Sequence, residues 1–195
     1  MARRSDHTRV ELRDMALAAA REIIREKGVT ALSTRTLAAR IGYTSGTLYQ
    51  VFRNRDALVE EINIGTLDLL YAHCKSSPDD PSVQGRLRRL AHGFLEFAND
   101  HPREWDAVIS YAFGADHTAS PAYHQQVAQL LDLLCDAISR FYGPDEANQR
   151  LRDARLLWNS LYGIFALAAA GRLSADRSHD DAVDDLIDLY LAARA

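Results

Sequence analysis

Only two cysteines occur in 195 residues, Cys74 and Cys135, and neither has a second ligand at metal-binding spacing. That excludes a disulfide framework and points to buried thiols in a reducing, cytoplasmic setting. No run approaches the about eighteen apolar residues of a spanning helix, and the most apolar stretch, 161–171, sits inside an amphipathic pattern, so no membrane segment is expected. The start, MARRSDHTRVELRD, has no apolar core behind its arginines, so no secretory signal is expected either. Strand signals are missing: there is no alternating β-branched run and no Asn-Gly hairpin turn. The seven histidines form no HExxH or similar pair, and neither a Gly-rich phosphate loop nor a nucleophile elbow is present. An enzyme is the least favoured reading, and no metal or cofactor is expected.

What is present is helical. A hydrophobic fraction of 47% with 26% charged residues belongs to a globule with a sizeable core. A first helix is expected over 8–27, burying Val10, Leu12, Met15, Ala16, Ala19, Ile23 and Ile24. It stops at Gly28, with Arg25 and Lys27 in the last turn, where cations suit the helix dipole. Another is expected to start at Asp56, taken as its N-cap, and to run toward Cys74. SSPDDPS at 76–82 reads as a turn. Further helices are expected at roughly 83–100, 102–113, 121–142, 145–171 and 180–194, with Pro102, Pro121 and Pro144 in first-turn positions and Ser120 as a cap. The chain is expected to be all-α, with about nine helices.

The most informative stretch is 33–56, STRTLAARIGYTSGTLYQVFRNRD. Ser33 caps a short helix that carries Leu37, Ala38 and Ile41 at helical spacing, and Gly42 supplies a left-handed stop. Thr44 or Ser45 then caps a second helix through Thr47, Leu48, Tyr49 and Val51. Such a helix-turn-helix lets the second helix enter the DNA major groove while the first crosses the backbone. Charge agrees: residues 1–60 carry eleven Arg/Lys against seven Asp/Glu, whereas 61–195 carry twelve against twenty. Basic charge therefore gathers where phosphates would lie.

The hydroxyls of Thr44, Ser45 and Thr47 suit phosphates, Gly46 permits close backbone approach, and Gln50 suits a base edge. Ser33, Thr34 and Tyr49 are further candidate contacts, with Tyr49 also open to a core role. Arg35 and Arg55 are expected phosphate clamps, while Arg3 and Arg4 form an arm that can reach a backbone or minor groove. Arg21, Arg25 and Arg40 read instead as solvated or paired with Glu22 and Glu26.

AARIGYTSGTLYQVFRNRDAL resembles the TetR (tetracycline-repressor) family of bacterial transcription regulators. Gly42, Thr44, Gly46, Thr47, Leu48, Tyr49, Phe52 and Arg55 match its pattern in order, while Tyr43, Ser45 and Val51 depart from it. Residues 156–173, LLWNSLYGIFALAAAGRL, resemble a TetR-type regulatory domain with a Trp-x3-His-Gly motif, in which Tyr162 replaces the histidine. The resemblance implies a three-helix DNA-binding domain at 1–55 joined to a larger helical bundle at 56–195 for ligand binding and dimerisation. It also implies double-stranded operator DNA as partner, a homodimer, and a small-molecule effector of apolar or amphipathic character.

Candidate lining residues for that effector are Phe94, Phe97, Trp105, Ile109, Phe113, Tyr123 and Tyr162, each of which plain core packing also explains. A stripe through Trp158, Leu161 and Phe165, with Ile187 and Tyr190 on the last helix, is the expected dimer seam, the chain's own core being the other reading. The expected function is a repressor released by its effector. A constitutive or partner-controlled DNA-binding regulator is the alternative.

Overall fold

The computed structural model describes residues 7–76, 80–173 and 178–194; Arg3 and Arg4 lie outside them. Among the described residues there are nine α-helices, three short 3-10 turns and no strand. The helices are α1 (Arg9–Lys27), α2 (Thr34–Ile41), α3 (Ser45–Leu48), α4 (Arg55–Ser76), α5 (Val83–Asp100), α6 (Pro102–Ser110), α7 (Pro121–Ala137), α8 (Ala147–Ala169) and α9 (His179–Ala192).

Local chemistry explains most boundaries. Thr8 caps α1 in a reciprocal box with Glu11, and Ser178 does the same for α9 with Asp181. Gly42 closes α2 in the left-handed region at φ 76°. Four ends differ from the sequence pattern. α4 is capped by Asn54, whose side-chain oxygen accepts from the Ala57 amide at 2.8 Å, so Asp56 lies within the first turn. α6 ends at Ser110 because Tyr111 is extended and its hydroxyl is drawn to Asp56. α7 ends at Ala137 and gives way to a 3-10 turn, Ser139–Phe141. α3 is a single turn: the Gln50 and Val51 amides reach back only three residues, to Thr47 and Leu48, and tighten the chain.

The chain divides into two compact units. The first comprises Met1–Thr66 and His101–Tyr123, so that α6 joins α1–α3 and the opening of α4. Its core includes Ala16, Ala20, Ile24, Leu37, Leu48, Leu58, Ile62 and Ala107. Arg103 donates to the carbonyls of Arg25 and Glu26, satisfying the open end of α1, and Arg25 pairs with Glu104 at 2.8 Å. Arg40 binds both Glu22 and Glu26, as the charge pattern suggests. Arg21 packs over Gly65, where a Cβ would lie 2.1 Å from the flexible guanidinium end and would make it shift. Val10, expected inside, is 68% exposed, because it lies on the side of α1 away from the buried Leu12 and Ala16.

The second unit comprises Leu67–Asp100 and His124–Ala195. Its buried residues include Leu87, Leu90, Phe94, Leu130, Leu134, Leu157, Leu161, Phe165, Val183 and Ile187. The acidic face of α9 is clasped by α5: Arg88 bonds Asp184 and Asp188, and His92 reaches Asp180 and Asp184.

In the first unit, Asp56 accepts from the Tyr111 hydroxyl at 2.6 Å and the Gly114 amide at 3.1 Å. The tyrosine bond foremost holds its carboxyl below the usual 3.8, while burial and the same bond push the Tyr111 hydroxyl up to about 12. A depressed carboxyl stabilises the fold above its unfolded pKa, and that contribution is lost as pH falls through the folded value. Asp56→Asn is therefore expected to melt below the wild type at neutral pH, with the difference closing below about pH 4. Thermal melts of both proteins across that range check it; a gap independent of pH would refute the carboxylate's role.

Candidate nucleic-acid interface

The helix-turn-helix buries one face and leaves the other open. Leu37, Ala38, Leu48 and Phe52 turn inward. Arg35, Thr44, Gly46, Tyr49 and Gln50 are all exposed, Tyr49 by 58%. None of these five belongs to the buried core, and together they form an open row of a guanidinium, a hydroxyl, a bare backbone, a phenol and an amide. Such a row offers donors to phosphate oxygens and one bidentate amide to a base edge.

The remaining candidates are engaged locally. Ser33 accepts from the Thr36 amide at 3.0 Å while Thr36 returns a bond to the Ser33 backbone, so its hydroxyl caps α2. Thr34 and Ser45 are half-buried. The Thr44 and Thr47 hydroxyls lie 2.9 Å apart, and Thr44 also accepts the Thr47 amide at 3.3 Å. This pair holds α3 at its start and orients both hydroxyls.

Arg55 differs most from expectation. Its Nε donates to the Leu32 carbonyl at 2.8 Å and its Nη2 to the Val29 carbonyl at 2.9 Å, and the guanidinium lies 5.1 Å from the Tyr111 ring centre. It ties the turn before α2 to the start of α4 and is no free phosphate clamp. The physical reason is that the 3-10 turn Val29–Ala31 ends at an extended Leu32, whose carbonyl is open to a donor, while the Val29 carbonyl takes the guanidinium beside the Leu32 amide. Sequence reasoning also missed the tie between His7 and Tyr43, whose ring nitrogen and hydroxyl lie 2.6 Å apart. It anchors the start of α1 to the helix-turn-helix, and the separation along the chain leaves no local signal.

Two segments match family models. Residues 16–62 match the bacterial regulatory proteins of the tetR family, and residues 87–190 match the tetracyclin repressor-like C-terminal domain. The chain belongs to the TetR family. Its relatives include the tetracycline repressor protein class C of Escherichia coli, 30% identical over 131 residues that cover 64% of this chain and 54% of that protein. The HTH-type transcriptional repressor KstR2 of Rhodococcus jostii is 29% identical over 153 residues, 77% of this chain and 61% of the relative. The chain thus spans less than two thirds of the length of either relative.

Solved structures show the TetR fold over nearly the whole chain. A TetR transcriptional regulator from Rhodococcus superposes with a TM-score of 0.70 at 22% identity, covering 94% of this chain and 98% of that one. A TetR protein of Acinetobacter baumannii in complex with minocycline gives 0.61 at 21% identity, covering 93% and 97%.

In this TetR-family chain the expected effector-lining residues are drawn from both units. Phe94, Phe97 and Tyr162 belong to the second unit, whereas Trp105, Ile109, Phe113 and Tyr123 belong to the first. Phe94 is core, with its ring 5.5 Å from Trp158 and 5.9 Å from Phe165. Phe97 and Trp105 are buried as well. Phe113 stacks on His117 and packs against the core of the first unit, while Ile109, Tyr123 and Tyr162 are half-buried.

The expected dimer stripe is corrected in phase. Leu161 is 4% exposed, and Phe165 and Ile187 are buried within the single chain, because this stripe packs on the unit's own core. Trp158 is half-buried against Phe94, and Tyr190 bonds Tyr142 at 3.0 Å. Outward lie Leu156 and Leu167 on α8 with Leu189 on α9, beside the half-buried Ser160 and Gly163; Leu156 is 63% and Leu189 70% exposed, and a Cβ on Gly163 would meet open space.

Arg55→Ala is expected to lower stability by about 1.5–3 kcal/mol, since it removes two charge-assisted bonds and takes the guanidinium donor from the Leu32 carbonyl. Denaturant titration of the free protein checks this. An unchanged unfolding midpoint would return Arg55 to the role of a free clamp.

Proposed function

We propose that this TetR-family chain is a homodimeric, sequence-specific transcriptional repressor that occupies operator DNA and leaves it when a small molecule binds the C-terminal part. The observation that carries the reading is the open row Arg35, Thr44, Gly46, Tyr49 and Gln50 on a helix-turn-helix whose opposite face is fully buried. The functional division falls at 55/56, with DNA binding before it and effector binding and dimerisation after it. Thr47, Ser45 and Thr34 support the row from its edges, and Arg3 and Arg4 extend it along the backbone.

Dimerisation gives the two heads the spacing of successive major grooves, about 34 Å. The exposed α8 and α9 residues supply an apolar, small-residue face of the kind that antiparallel helix pairs bury. The relative in complex with minocycline and the repressors among the relatives support effector control. Release requires the effector to favour a conformation whose heads no longer match the operator. The cytoplasm is where such a regulator works, and residues 158–173 are read as a variant of the Trp-His-Gly regulatory type with Tyr162 in the histidine position.

Selection of bound fragments from genomic DNA is expected to return a two-fold symmetric site. On that site Gln50→Ala is expected to relax preference at one position per half-site, at a cost of about 1–3 kcal/mol. Recovery of no enriched sequence, or an unchanged profile for the variant, would count against the DNA reading or the Gln50 role respectively. Leu189→Asp is expected to yield a folded monomer by sedimentation and to weaken operator binding at least tenfold. A dimer retained at micromolar concentration would move the interface elsewhere.

A further inference from the structure

The second unit contains a cavity of about 280 Å³ lined by Cys74 and Lys75 of α4, Arg86, Arg89 and Leu90 of α5, and Leu133, Asp136 and Ala137 of α7. Three cations face one lining carboxylate, in a unit that is otherwise rich in acids. Two of these cations have described partners. Arg89 donates to the Cys74 carbonyl at 3.3 Å, and Lys75 donates to the Tyr71 hydroxyl at 3.2 Å with its ammonium 5.4 Å from that ring's centre. Arg86 is different: its Nε and Nη2 are buried and have no hydrogen-bond partner.

Those two nitrogens form one edge of the guanidinium plane, the fork that matches both oxygens of a carboxylate. A buried donor without an acceptor is costly, and among the described residues none bonds these two nitrogens, so the site suits an added anion. Asp80 accepts from the Ser82 hydroxyl and amide at 2.6 and 2.8 Å, bonds that foremost lower its carboxyl pKa, and the nearby Arg86 and Arg89 add to the shift. Leu90, Leu133 and Ala137 give the same cavity an apolar wall. The volume lies at the small end of ligand pockets.

We propose that this cavity binds a small organic carboxylate, its acid group on the Arg86 fork and its apolar body against Leu90, Leu133 and Ala137. The proposal rests on the effector reading and names the chemical class of the effector. Arg86 reads the charge and the α5–α7 wall reads the hydrocarbon. An uncharged analogue of the same shape would leave the fork unpaired and is rejected for that reason.

The test is calorimetry and thermal shift on the full chain with hexanoate, benzoate, their amides and inorganic phosphate. At least one carboxylate is expected to bind and to raise Tm by about 3–5 °C at roughly ten times its Kd. Its amide is expected to bind at least tenfold more weakly. Arg86→Gln should lose at least tenfold in carboxylate affinity while melting no lower than the wild type unliganded, since it removes buried donors that lack partners. Leu133→Trp, which fills the cavity and keeps Arg86, should also abolish binding. Equal binding of acid and amide, wild-type affinity in either variant, or no carboxylate binding at about 10 mM overturns the proposal. Phosphate binding as tightly as either carboxylate would overturn its organic part. Operator release by a ligand indifferent to Arg86 would sink this inference and leave the effector reading standing. Carboxylate binding at Arg86 with no change in operator affinity would do the reverse.

Discussion

Helices of eight residues and four residues, α2 and α3, cannot enclose a core by themselves, because too little of their surface can be shared between them. The opening turns of α4 supply the missing wall. Leu58, Val59 and Ile62 are almost wholly buried, Arg55 holds the carbonyls of Val29 and Leu32, and Asp56 binds Tyr111 and Gly114. The inner face of the helix-turn-helix therefore depends on a segment that follows it. That dependence is what leaves Arg35, Gly46, Tyr49 and Gln50 on the outer face exposed, with Thr44 beside them capping α3.

The same economy of charge runs through both units. Arginines close open helix ends, as Arg103 does for α1 and Arg55 for the turn before α2. Others cross-link helices through acids, as Arg13 does to Glu61 and Arg88 to α9. An arginine satisfied in this way is a poor candidate for an outside anion. By that standard Arg35 on the outer face and Arg86 in the second unit stand apart, the first by exposure and the second by two buried donors without partners.

Much of the fold was legible because its signals are local. Gly42 demanded a left-handed stop, Ser33 and Ser120 read as caps, and Pro102 and Pro121 opened helices where expected. The open row of the helix-turn-helix was legible for the same reason, since a short amphipathic helix has only one face to bury. The apolar stripe on α8 was legible as a stripe, but not which side of it meets the chain's own core. Leu157 and Leu161 are inside while Leu156 and Leu167 are outside, and a helix that is apolar on most of its circumference does not declare which side meets its own core. Arg55 and Arg86 were illegible in role because their partners, or the lack of them, lie on other elements.

The sequence by itself determined that the chain is helical, where most helices begin, and that a basic helix-turn-helix stands before an acidic body. These follow from periodicity, capping and charge, which act within a few residues. Only the tertiary structure decided that α6 joins the first unit, that Arg55 is a tie, that Leu161 and Ile187 are core, and that Arg86 faces a cavity with its fork unpaired. Those outcomes depend on which faces meet across long stretches of chain, and pairwise packing and desolvation leave no mark on local spacing.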